Sequence, residues 1–112
     1  MSRKIRELLL TLGIHSTHRG FHFILYALLL CLQDEDYLLF IGKKLYPAVA
    51  EHFGTSRKNV ERCIRTVINN CYYHGNPKFL FQIAGYELPT KPTNSEFLDI
   101  LYHYLTSDKS QD

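Results

Sequence analysis

The run YPAVAEHFGTSRKNVERCIRTVI, residues 46–68, decides the fold. Pro47 suits the first turn of a helix, where a backbone N–H would be left unpaired anyway. Gly54 supplies the permissive backbone for a sharp stop, and Thr55 and Ser56 can each cap the next helix. From there Val60, Cys63, Ile64, Val67, Ile68 and Cys71 recur three and four apart, the spacing of one helix face. Two helices joined by a tight glycine turn make a helix-turn-helix. Ala50 falls where the two would cross, and a small side chain there lets them approach. Val49, Phe53, Val60 and Cys63 fall at spacings that pack the pair steeply.

Outward from this pair, helix spacing continues and strand alternation is nearly absent. Residues 3–12 place Ile5, Leu8, Leu9 and Leu12 on one face, and Gly13 reads as a stop. A second helix, from about Thr17 to Gln33, is apolar almost all round, the mark of a helix buried inside a small bundle. Asp34-Glu35-Asp36 breaks it, and a connecting segment runs from Tyr37 to Lys44. The helix of about 57–74 ends at His74-Gly75-Asn76-Pro77. Residues 78–92 read as a short turn of helix and then a loop. Thr93 and Glu96 form a capping box, in which each side chain satisfies the other residue's free N–H. The last helix carries Phe97, Leu98, Leu101, Tyr104 and Leu105 on one side. The expectation is an all-α domain of five or six helices over residues 1–106, with a polar tail at 107–112.

Composition agrees with one domain. A chain of 112 residues leaves no room for a second, and at this mass about two-thirds of the unfolded surface is buried on folding. With 46% hydrophobic residues, that core needs neither metal nor disulfide. Cys31, Cys63 and Cys71 are odd in number, lack a CxxC pair and sit in apolar runs, so they read as buried thiols in a reducing cytoplasm. Glu7 interrupts the basic N-terminus, and the apolar stretch behind it is too short for a signal peptide. The longest apolar run, Phe23 to Leu32, is about half of a membrane span of roughly 20 residues.

The net charge of +2 names no partner, but its distribution does. Between residues 43 and 65, Lys43, Lys44, Arg57, Lys58, Arg62 and Arg65 stand against Glu51 and Glu61, so the segment carries +4 and the remainder −2. The outward face of the second motif helix holds Lys58, Asn59, Glu61, Arg62, Arg65, Thr66 and Asn69. A major groove asks for such a helix, with its N-terminal end reaching bases and cations around it. Arg62 and Asn59 are the best base readers, because arginine takes guanine and asparagine takes adenine through paired hydrogen bonds. Arg57, Lys58, Arg65, Lys43 and Lys44 suit phosphates, which position without reading. Glu61 either accepts from a cytosine amine or holds Arg65 one turn on.

Tyr46-Pro47, Ala50, Phe53, Val60-Glu61-Arg62 with Ile64-Arg65, Gly75-Asn76, Gly85-Tyr86 and the run Lys91-Pro92-Thr93-Asn94-Ser95-Glu96-Phe97 make a distinctive set. In these residues, and in His18, Gly20 and Phe21, the chain resembles the DNA-binding effector domain of the sporulation master response regulator of endospore-forming bacteria. The resemblance runs from about Ile5 to Leu105. It implies an all-helical bacterial transcription factor that reads a short DNA box, often in tandem copies on which it self-associates, and that touches RNA polymerase. It carries family DNA contacts onto Glu61, Arg62 and Arg65. Two positions depart: Asn59 stands where the family usually has arginine, and Thr66 where it often has histidine, which points to a different preferred box. The family's effector comes after a receiver whose aspartate is phosphorylated. Here the effector helix begins almost directly after Met1, so the chain reads as an effector without that switch.

Other clusters are weaker. His18 and His22 lie one turn apart with His15 nearby, but no carboxylate or thiolate completes a metal set, so surface and capping roles fit better. No catalytic triad, carboxylate pair or phosphate-cradling glycine loop appears. The expectation is a cytoplasmic, non-enzymatic regulator with no cofactor and no metal, whose partner is double-stranded DNA and not a membrane. The alternative is a helical protein-interaction module that modulates a related regulator without reading DNA.

Overall fold

The structure is a computed structural model and describes residues 1–107, so most of the expected tail lies outside the described residues. Seven α-helices and one π-helical turn are present among them, with no strand. They are α1 (Ser2–Thr11), α2 (Arg19–Gln33), α3 (Asp36–Leu39), a π turn (Ile41–Leu45), α4 (Tyr46–Phe53), α5 (Arg57–His74), α6 (Pro77–Ala84) and α7 (Asn94–Ser107). The all-α expectation holds. The count rises because the Tyr37–Lys44 connection is itself helical. Asp34 accepts the Asp36 N–H at 3.0 Å and starts α3, and the Leu45 N–H reaches back to the Phe40 carbonyl at 3.1 Å to close the π turn. Runs this short have no period for a sequence pattern to show. Residues 77–84, expected as a short turn, make two full turns, because Asn76 caps them and Pro77 opens them.

α2 is the central post. It packs against α1, α3, α4, α5 and α7, and Phe21, Phe23, Ile24, Ala27, Leu28, Leu30 and Cys31 are all buried. At Gly20 it meets α5 tightly. A Cβ on Gly20 would lie 2.3 Å from Val67 Cγ2 and 2.6 Å from the Cys63 carbonyl oxygen, so only glycine permits this crossing. The C-terminus of α1 is tied to the far end of α5 by similar closeness. Gly13, at φ +85°, faces Gly75, and the Asn76 N–H and side-chain amide donate to the Leu12 and Thr11 carbonyls at 3.0 Å each.

Two core assignments need correction. Phe53 does not wedge between α4 and α5. It is 38% exposed and joins Phe23, Tyr26 and His52 in an aromatic cluster against α2. Cys63 lies at the edge of the core, half-buried, whereas Cys31 and Cys71 are inside it. Burial pushes the Cys31 thiol up to about 12 and the Cys71 thiol to about 11, so both stay protonated.

Candidate nucleic-acid interface

α4 ends at Gly54 in the left-handed region, φ +66°, and the Thr55 N–H bonds back to the Ala50 carbonyl at 2.9 Å. That turn aims α5. Of the two candidate caps, Ser56 is used: its hydroxyl accepts the Asn59 N–H at 3.1 Å. Val49, Ala50, Val60 and Ile64 are buried, which fixes the rotation of α5 and leaves its opposite side in solvent.

That side carries Arg57, Lys58, Arg62, Arg65, Thr66 and Asn69, all exposed, with Asn59 and Glu61 half-buried among them. The first turn of α5 holds two cations and no acid. A helix N-terminus already bears partial positive charge, so this arrangement opposes helix stability and suits an anion. Among the described residues, Arg57 and Lys58 have no carboxylate partner. Arg65 is held by Glu61 one turn back, at 2.8 Å, the second of the two roles expected for Glu61. The Thr66 hydroxyl donates to the Arg62 carbonyl at 3.0 Å, as threonines inside helices commonly do.

Asn59 is the most engaged residue of the face. Its Nδ2 donates to Thr55 Oγ1 at 2.9 Å, and its Oδ1 accepts from Arg62 Nη2 at 2.6 Å and from the Cys63 thiol at 3.6 Å. The two lysines of the π turn differ. Lys43 is exposed. Lys44 sits 3.0 Å from Asp34 and 3.9 Å from Asp36, with its ammonium 4.6 Å from the centre of the Tyr37 ring. Its hydrogen bond to Asp34 raises its pKa above the lysine range, and its charge is offset locally.

Sequence reasoning missed the other wall. Residues 91–95 fold back beside α5, and with Ile41, Gly42, Tyr46, Glu61 and Arg65 they line an open cleft of about 560 Å³. Lys91 donates to Asn69 Oδ1 at 3.1 Å. Asn94 Nδ2 donates to both the Glu61 carbonyl and the Tyr46 hydroxyl at 3.0 Å, tying α7, α5 and α4 together at one point. Burial there pushes the Tyr46 phenol above its ordinary range. The expected capping box forms beside it, with the Thr93 N–H to Glu96 Oε1 at 2.9 Å and the Glu96 N–H to Thr93 Oγ1 at 3.1 Å. A lysine ahead of a capping box was the available signal, but only the fold places it next to Arg65.

The histidines contribute differently. His22 Nε2 lies 2.7 Å from the Ser16 carbonyl, and among the described residues no group of three or more His, Cys, Asp or Glu is arranged to hold a metal.

A tight glycine turn, a buried crossing and an exposed cationic second helix define a helix-turn-helix. The family described as sporulation initiation factor Spo0A C terminal matches residues 5–105, and the chain belongs to it. It is therefore a DNA-binding effector domain of the sporulation response-regulator type, in a family of transcription regulators rather than enzymes. No helix of the described residues is long and apolar enough to cross a membrane.

Proposed function

We propose that this chain regulates bacterial transcription, in the cytoplasm, by reading a specific DNA sequence with α5 in the major groove. The carrying observation is the first turn of α5, where Arg57 and Lys58, without a carboxylate partner among the described residues, stand at a helix N-terminus beside the exposed Arg62. In this reading Arg62 takes a guanine edge. Arg57, Lys58, Arg65 and Lys43 hold phosphates, with Lys44 as a weaker contributor because Asp34 and Asp36 already offset it. Glu61 orients Arg65 from within the face. Asn59 lies at the base-reading end of the helix. Contact with RNA polymerase and self-association on tandem sites belong to the same reading through the family.

The experiment is site selection from a randomised duplex pool, then fluorescence anisotropy of the selected and a scrambled duplex across a salt series. The reading expects tighter binding to the selected duplex, with log K falling by about 0.9 per phosphate contact as log salt rises. Absence of binding at low salt would contradict it and favour an interaction module that does not read DNA.

A further inference from the structure

Asn59 has an amide that an adenine reader would need free. Paired recognition of adenine uses both the carbonyl oxygen and the amine of the asparagine side chain. Here the oxygen accepts from Arg62 Nη2 at 2.6 Å and from the Cys63 thiol at 3.6 Å, which uses both of its lone pairs, and the amine gives one of its two hydrogens to Thr55 Oγ1 at 2.9 Å. The backbone beneath is fixed as well, because the Asn59 N–H is the one that the Ser56 cap receives. Thr55 and Asn59 are both half-buried, whereas Arg62 is exposed, so the chain of bonds runs from the packed turn out to the tip of a long, flexible cation.

We infer that Asn59 is a positioning residue that sets DNA specificity through Arg62, by a Thr55–Asn59–Arg62 relay, and does not itself contact a base. The inference rests on α5 being the groove helix. A free arginine samples many rotamers and loses that freedom on docking, whereas one tethered at Nη2 has lost much of it already. Guanidinium has five N–H donors, and Asn59 occupies one edge only, leaving donors to span guanine O6 and N7. The tether also restricts where those donors point, so mismatched bases are disfavoured. An arginine at position 59 could not accept from Arg62 at all, since guanidinium has no acceptor. It would add a phosphate-binding cation and release Arg62. Asparagine at this position thus favours a preset reader over general affinity.

The test is a double-mutant cycle on the 112-residue chain, using the duplex obtained by site selection and its scrambled counterpart. Asn59→Ala should weaken binding to the selected duplex roughly three- to tenfold, the effect of releasing one long side chain. It should leave the scrambled duplex and the salt slope unchanged. In an Arg62→Ala background the same substitution should do nothing. Thr55→Val, which keeps the shape and removes the acceptor, should reproduce part of the loss, and Thr55→Ser should restore it. Asn59→Arg should bind both duplexes more tightly, steepen the salt slope by about one contact and narrow the ratio between them. An Asn59→Ala effect that persists undiminished without Arg62, or a changed base preference at a position other than the one Arg62 governs, would overturn the relay. Failure of Arg62→Ala itself to alter binding would instead remove the groove reading on which the relay rests. Melting temperatures of the single variants separate a folding loss from either outcome.

Discussion

Among the described residues, α2 and α5 are the two longest helices and pack against each other, yet their sequences are solved by opposite physics. α2 is buried nearly all round, so almost any substitution in it acts on stability. α5 buries only Val60, Ile64, Val67, Ile68 and Cys71, and its open side is dominated by cations and amides. The buried helix is specified by volume. The exposed one is specified by charge and by hydrogen bonds among its own side chains. What joins them is Gly20, where α2 approaches so closely that α5 cannot shift without α2 shifting too.

The strongest way to break this division is at that crossing. Gly20→Ala places a Cβ against the Cys63 carbonyl, a backbone atom that cannot swing aside, and should lower stability by about 3 kcal/mol, the upper end of ordinary overpacking. Thermal or urea unfolding would show it. Arg62→Ala should do the reverse, leaving the melting curve in place while losing roughly 1–3 kcal/mol of binding to the selected duplex and relaxing one base preference. Anisotropy against single-base variants of that duplex is the check.

Smaller effects sharpen the comparison within the cationic face. Lys43→Ala should weaken all duplexes alike and reduce the salt slope by about one contact, whereas Lys44→Ala should change it less, because Asp34 and Asp36 already offset that charge. The smallest effect concerns pH. The Asp36 N–H and then Lys44 hold the Asp34 carboxyl below its ordinary value of 3.8. A carboxylate depressed in the folded state contributes stability above its ordinary pKa and loses it as pH falls through the folded value. Asp34→Asn should therefore lower stability slightly near neutrality, flatten the acid limb of the stability–pH curve, and converge with the unsubstituted chain well below that value.

Much of the fold was legible because it rests on period and punctuation. The apolar stripe of α5, the Gly54 turn, the Thr93–Glu96 box and the all-round apolarity of α2 each arise from residue type and spacing alone. The short α3 and π turn were not legible, since a single turn has no repeat to detect. Phe53 misled because helix spacing says that a residue faces a neighbour without saying which one, and α2 took it. At the interface, the pattern identified the cations of α5 but gave Asn59 and Lys44 as free groups. Their partners are a threonine four residues back and an aspartate ten residues back, set by local geometry rather than by period. Lys91 and Asn94 were beyond reach for a simpler reason: they lie more than twenty residues from the partners they hold on α5.

The most direct test of the central claim is amide NMR shift mapping of the chain titrated with its selected duplex. The account predicts that the largest changes cluster on residues 54–69 and on the Lys43 turn, with the buried amides of α2 nearly still. Changes confined to α1 and α6, with the amides of Arg57, Lys58 and Arg62 unmoved at saturation, would contradict the assignment of α5 as the reading helix.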